Sequence, residues 1–166
     1  AGDIRRTLAA LLHSPEFLRG GGAKLKRPFH LVVSALRGVA AETDGEGPVA
    51  HLDRMAQLPF GRALPDGYPD HADAWKGGVL GRWNFAVALA TGGLSGTRAD
   101  VAALVEATGE REPRGVCAAL CRALLGRTLP DTQMDALTRF AGGADVVEAA
   151  RRWLALIIAS PGFQWR

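Results

Sequence analysis

The chain has 166 residues, 20 Lys and Arg against 17 Asp and Glu, a net charge of +3 and 48% hydrophobic residues. That length suits one domain that buries enough surface to stand without a metal or disulfide staple. Its basic residues are scattered rather than gathered on one face, which argues against a nucleic-acid binder, and no run approaches the ~20 apolar residues of a membrane span.

A first helix is predicted over 3–13, with Asp3 as N-cap and Ile4, Leu8, Leu11 and Leu12 as its apolar stripe. Gly20-Gly21-Gly22 lacks a preceding strand and a following Lys-Ser/Thr, so it is a flexible connection rather than a phosphate loop. Lys24, Lys26 and Arg27 are the one compact basic cluster and are expected to be solvated. Pro28 sits where a first-turn proline belongs, and Phe29, Val32, Val33, Leu36, Val39 and Ala40 follow on one helical face. After a loop at 43–48, Val49, Leu52, Met55 and Ala56 make a short helix that stops before Pro59.

The segment that follows, Pro65-Asp66-Gly67-Tyr68-Pro69-Asp70 and then Trp75, is dense in stiff and aromatic residues. Such residues lose little entropy when fixed, so this long loop is expected to be ordered. Residues 79–91 are apolar on nearly every side, which places that helix in the centre, with Gly92 and Gly93 ending it. Thr97-Arg98-Ala99-Asp100 resembles a capping box for a helix carrying Val101, Leu104 and Val105. Further helices are predicted over 112–125 (Val116, Cys117, Leu120, Cys121, Leu124), from 130 (Met134, Leu137, Phe140) and over about 144–159 (Val146, Val147, Ala150, Trp153, Leu154, Ile157, Ile158). Sustained strand alternation is absent. The expected fold is all-α: a single compact orthogonal bundle of seven or eight helices, residues 1–166, with one long ordered Pro/Gly/aromatic loop at about 59–77.

One stretch occurs twice. Residues 5–17 and 151–163 match at seven of thirteen positions, each ending in Ser-Pro-x-Phe. Ser caps the next helix, Pro takes its first position and Phe packs back. Nothing between the copies repeats at a fixed period, so a reused joint accounts for the likeness. Cys117 and Cys121, at i and i+4, share a helix face that suits two small core side chains rather than a disulfide.

Candidate chemistry concentrates in the loop. Asp66, Asp70 and Asp73, with His71 among them, offer oxygens for a hard cation such as calcium; turn and cap chemistry is the alternative use. Tyr68, Trp75 and His71 form a candidate ligand or partner surface, suited to a carbohydrate or a peptide, with Trp83 beside it. Arg82 lies in the most apolar helix and has to be paired. A carboxylate of the 66–73 loop is the expected partner, making a latch over the core; the alternative is an anchor for an anion or sugar acid. His13, His30, His51 and His71 form no metal motif, and no nucleophile elbow or zinc-protease helix is present, so no catalytic residue and no cofactor is assigned.

Five blocks in order carry a family likeness: Ser14-Pro15-Glu16-Phe17; Lys26-Arg27-Pro28-Phe29-His30 running to Arg37; Pro65 to Asp70 with Trp75; Leu80-Gly81-Arg82-Trp83-Asn84-Phe85-Ala86; and Ala159-Ser160-Pro161-Gly162-Phe163-Gln164. Together they resemble the bacterial "domain of unknown function 1800" family over nearly the whole chain. The resemblance implies the C-terminal portion of a longer protein, periplasmic or extracellular, and carries no reaction. A start at Ala1 inside a helical pattern agrees with an excised piece. The expected role is a non-catalytic structural or interaction module that contacts a protein partner, or the remainder of its own polypeptide, through the aromatic–acidic loop. The rival is part of an enzyme acting on an envelope or extracellular polymer.

Overall fold

Short polar side chains set where the helices begin. Asp3 accepts from the Arg6 backbone N–H at 3.1 Å to open α1 (Ile4–Leu12), and Ser14 accepts from Phe17 N–H at 3.1 Å to open α2 (Pro15–Arg19). α3 (Pro28–Gly38) starts on proline, and the Gln57 side-chain carbonyl accepts the first-turn N–H of Phe29 at 2.7 Å. The chain continues through α4 (Glu46–Arg54), α5 (Val79–Thr91), α6 (Val101–Ala107), α7 (Pro113–Leu125), α8 (Asp131–Ala141), α9 (Val146–Ala159) and α10 (Pro161–Gln164). This is a computed structural model, and it describes residues 2–143 and 145–166. Ten helices are present among them, eight of seven residues or more, so the expected all-α bundle is the observed one. Residue 144, where the last long helix was expected to begin, lies outside the described residues.

The centre is α9, not α5. Ala149, Ala150, Trp153, Leu154, Ile157 and Ile158 of α9 are buried, and α5, α6, α7, α8 and α10 all pack on that helix. α5 lies against α9 along Phe85, Ala86, Leu89 and Ala90, while Leu80 (68% exposed), Trp83 and Val87 form a wetted flank. An all-round apolar helix was expected to be buried all round. Here α5 meets α9, α3 and α4 on its buried side, and among the described residues no helix covers the Leu80–Trp83–Val87 stripe. α1 departs further. None of its residues is buried, so Ile4, Leu8, Leu11 and Leu12 line an open face instead of the core. Phe140 is likewise exposed.

Two short strands also escape the helical expectation. β1 (Glu42–Thr43) pairs antiparallel with β2 (Thr97–Arg98), with Glu42 opposite Arg98 and Thr43 opposite Thr97. The Thr97 hydroxyl is hydrogen-bonded to that of Thr43 at 2.7 Å, so it does not cap α6; Asp100 does, accepting from Ala103 N–H at 3.0 Å. The C-terminal tail is zipped to residues 24–26: Lys24 N–H donates to the Arg166 carbonyl at 3.0 Å, Arg166 N–H returns to Lys24 at 2.9 Å, and Lys26 N–H reaches Gln164 at 2.7 Å. This pins Gln164 and Trp165 beside the start of α5.

Candidate functional site

The loop between α4 and α5 is ordered by its own aromatic residues. The Tyr68 hydroxyl donates to the Leu58 carbonyl at 2.7 Å, and the Trp75 indole N–H donates to the Pro69 carbonyl at 2.9 Å. The two rings pack with centroids 6.1 Å apart and a tilt of 54°. Trp75 is buried (8% exposed) and Tyr68 half-buried, and both rings hold the loop together. His71 is exposed.

The loop carboxylates do not converge. Asp66 is held by Arg62 at 3.2 Å, Asp70 by Lys24 at 2.8 Å and Arg27 at 3.7 Å, and Asp73 by Lys76 at 2.6 Å. Lys24 holds the Asp70 carboxyl below the usual carboxylate range, and Lys76 does the same for Asp73. Among the described residues no group of three or more His, Cys, Asp or Glu is placed to share a metal ion. The physical reason is that each acid has a cation nearer to hand than another acid. Lys24 and Arg27, expected to be solvated, instead tie the loop to the start of α3, and Lys26 lies over the Phe163 ring at 3.8 Å from its centroid. Burial and the nearby Arg166 lower the Lys26 ammonium from its ordinary value.

Arg82 is therefore not the partner of a loop carboxylate. Its Nη1 donates to Gln164 Oε1 at 3.3 Å. Gln164 is oriented by its own amide NH2, which donates to the Ala159 carbonyl at 3.0 Å and so leaves the side-chain oxygen facing the guanidinium. Nη2 of Arg82 is enclosed and has no hydrogen-bond partner among the described residues. The residue is 2% exposed, and burial lowers its guanidinium from the ordinary value. Beside it lies a cavity of about 210 Å³ walled by Arg82, Gln164, Lys76 and three indole rings, Trp75, Trp83 and Trp165. Neither Gln164 nor Trp165 stands out in the sequence as a site residue; Gln164 enters it only as the end of the Ala159–Gln164 family block.

The protein-family comparison matches the model described as "Protein of unknown function (DUF1800)" over residues 1–165. The chain belongs to the DUF1800 family. No curated protein and no solved structure matches it. The five sequence blocks of this DUF1800 chain fall into two groups in space. Those around Trp75, Arg82 and Gln164 meet at the tryptophan-lined cavity, and the block that starts at Lys26 joins them through the Lys26 N–H bond to the Gln164 carbonyl and the Arg27–Asp70 pair. Ser14-Pro15-Glu16-Phe17 instead forms the joint of the exposed α1–α2 hairpin.

Proposed function

We propose that this chain is a non-catalytic interaction module that seats on another helical protein surface through its α1–α2 hairpin. One observation carries the reading: α1 and α2 bury no residue, yet they display Ile4, Leu8, Leu11, Leu12, Phe17 and Leu18. A contiguous exposed apolar patch on a folded protein marks an interaction site. The internal echo indicates the kind of surface that fits it. In the matching stretch, Leu154, Ile157, Ile158 and Phe163 occupy the positions of Leu8, Leu11, Leu12 and Phe17, and they are buried where α9 and α10 pack on helices. The α1–α2 face thus has the shape of an element that packs on helices. This reading puts the partner contact on the hairpin rather than on the aromatic–acidic loop, whose Tyr68 hydroxyl and Trp75 indole N–H are bonded within the loop. On family likeness, we place the module in the periplasm or outside the cell.

The test is a photoreactive residue at position 17 in the producing cell, compared with one at exposed Glu110. Crosslinks to protein from position 17 that vanish in a Leu8→Gln/Leu12→Gln variant support the docking face. Adducts no more abundant than those from position 110 overturn it.

A further inference from the structure

Arg82 presents an unbalanced charge. It is 2% exposed, and among the described residues its Nη2 has no partner and its one hydrogen bond goes to the neutral Gln164. Taking a cation out of water without a counter-charge is costly, and buried charges are ordinarily paired. The cavity beside it carries two cationic side chains, Arg82 and Lys76, and no acid in its wall; Lys76 is already paired with Asp73 at 2.6 Å. The remaining surface is largely apolar and aromatic, from Trp75, Trp83 and Trp165.

We propose that this cavity binds a small organic monocarboxylate, its carboxylate set against the Arg82 guanidinium and its apolar or aromatic body between the tryptophan rings. A guanidinium–carboxylate contact is a charge-assisted hydrogen bond, stronger than the neutral one to Gln164. Nη2 supplies a donor that none of the described residues uses. Size agrees: a cavity of roughly 150 Å³ holds benzene, and this one is about 210 Å³. Apolar walls disfavour heavily hydrated inorganic anions, so an acid with a greasy body is the ligand class. Because Nη2 is enclosed, binding entails a side-chain shift, and Trp83 (50% exposed) and Trp165 (36% exposed) are the wall rings with room to make it. The site is separate from the α1–α2 face and stands or falls without it.

Sodium benzoate is the probe, with benzamide as its neutral isostere and sodium chloride at matched ionic strength. The three tryptophans in the wall report directly through their emission. A saturable emission change with benzoate, a melting temperature that rises with its concentration, and neither effect with benzamide or chloride are the expected results. Arg82→Met weakens benzoate binding by about tenfold or more. Should that variant fold poorly, Trp83→Ala at the rim serves as the second variant, and it also weakens binding. Equal responses to benzoate and benzamide, a response to chloride of the same size, or no saturable response in the millimolar range would each overturn the proposal.

Discussion

Gln164 turns its side-chain carbonyl to Arg82, accepting from Nη1 at 3.3 Å, because its NH2 is committed to the Ala159 carbonyl at 3.0 Å. A neutral amide thus stands where a carboxylate was expected, and this changes what removal of Arg82 should cost. Breaking a buried ion pair costs about 3–5 kcal/mol because it strands a charge, whereas removing an unpaired buried cation also removes the cost of its desolvation. Arg82→Met removes an uncompensated cation but leaves Gln164 Oε1 without its donor, a loss of about 1–3 kcal/mol. The two effects oppose each other. Calorimetry in a buffer free of organic acids should place Tm within about 4 °C of wild type, at about 2–4 °C per kcal/mol; a fall of about 10 °C or more would restore the picture of a broken ion pair.

The two copies of the Ser-Pro-x-Phe joint share a sequence and differ in surroundings. Both serines cap the following helix, accepting from Phe17 N–H at 3.1 Å and from Phe163 N–H at 3.4 Å. Phe163 is 3% exposed and Phe17 51%. Leu154→Ala, in the buried copy, should cost about 2–5 kcal/mol. Leu8→Ala, its counterpart, should stay within about 0.5 kcal/mol. Urea unfolding of the two variants side by side reads the difference, and equal losses would mean that α1 packs on its own domain.

Gly47 lies where α4 meets the turn before β2. A Cβ there would collide with the backbone carbonyl of Ser95 and come within 2.9 Å of its backbone nitrogen. Backbone cannot swing aside, so Gly47→Ala should cost about 1–3 kcal/mol. At Gly77 an added Cβ meets nothing within 4 Å and the backbone is not left-handed. Gly77→Ala should be neutral or stabilise by up to about 1 kcal/mol, by restricting the unfolded chain. Chemical denaturation of the pair separates the two outcomes; a neutral Gly47→Ala would contradict the close approach.

His51 is buried edge-on against Phe85, with ring centroids 5.6 Å apart, and burial together with nearby Arg54 lowers its pKa from the ordinary value. As pH falls, the unfolded chain therefore takes up a proton first, at about 6.5. The His51 contribution is complete above that value and is lost progressively below it, toward the lower folded value. His51→Leu keeps an apolar contact with Phe85 and cannot titrate. Wild type should lose Tm relative to this variant between about pH 7 and pH 5. His30 is also lowered, but it is present in both proteins and cancels. Parallel curves would remove His51 as the cause.

Helix positions were legible in the chain because their signals are local. Asp3, Ser14, Pro28 and Pro161 act within a turn of where they stand, and the apolar spacing of α7 and α9 names its own buried face. β1 and β2 were not legible, since two-residue strands carry no period and their partners lie more than fifty positions apart. The loop aromatics were correctly expected to be ordered. That Trp75 would turn inward to Pro69, and that each acid would find its own lysine or arginine, depended on which cations the fold brought close.

Residue order alone therefore settles that this chain is helical, where most of its helices begin and that Arg82 is buried. It leaves open which apolar stripes find a neighbour. The stripes of α1, of the outer flank of α5 and of α9 look alike in sequence, yet only α9 is enclosed. Burial is a property of what packs opposite, and the partner of Arg82 is likewise decided by a tail 82 positions away that the 24–26 pairing carries into place.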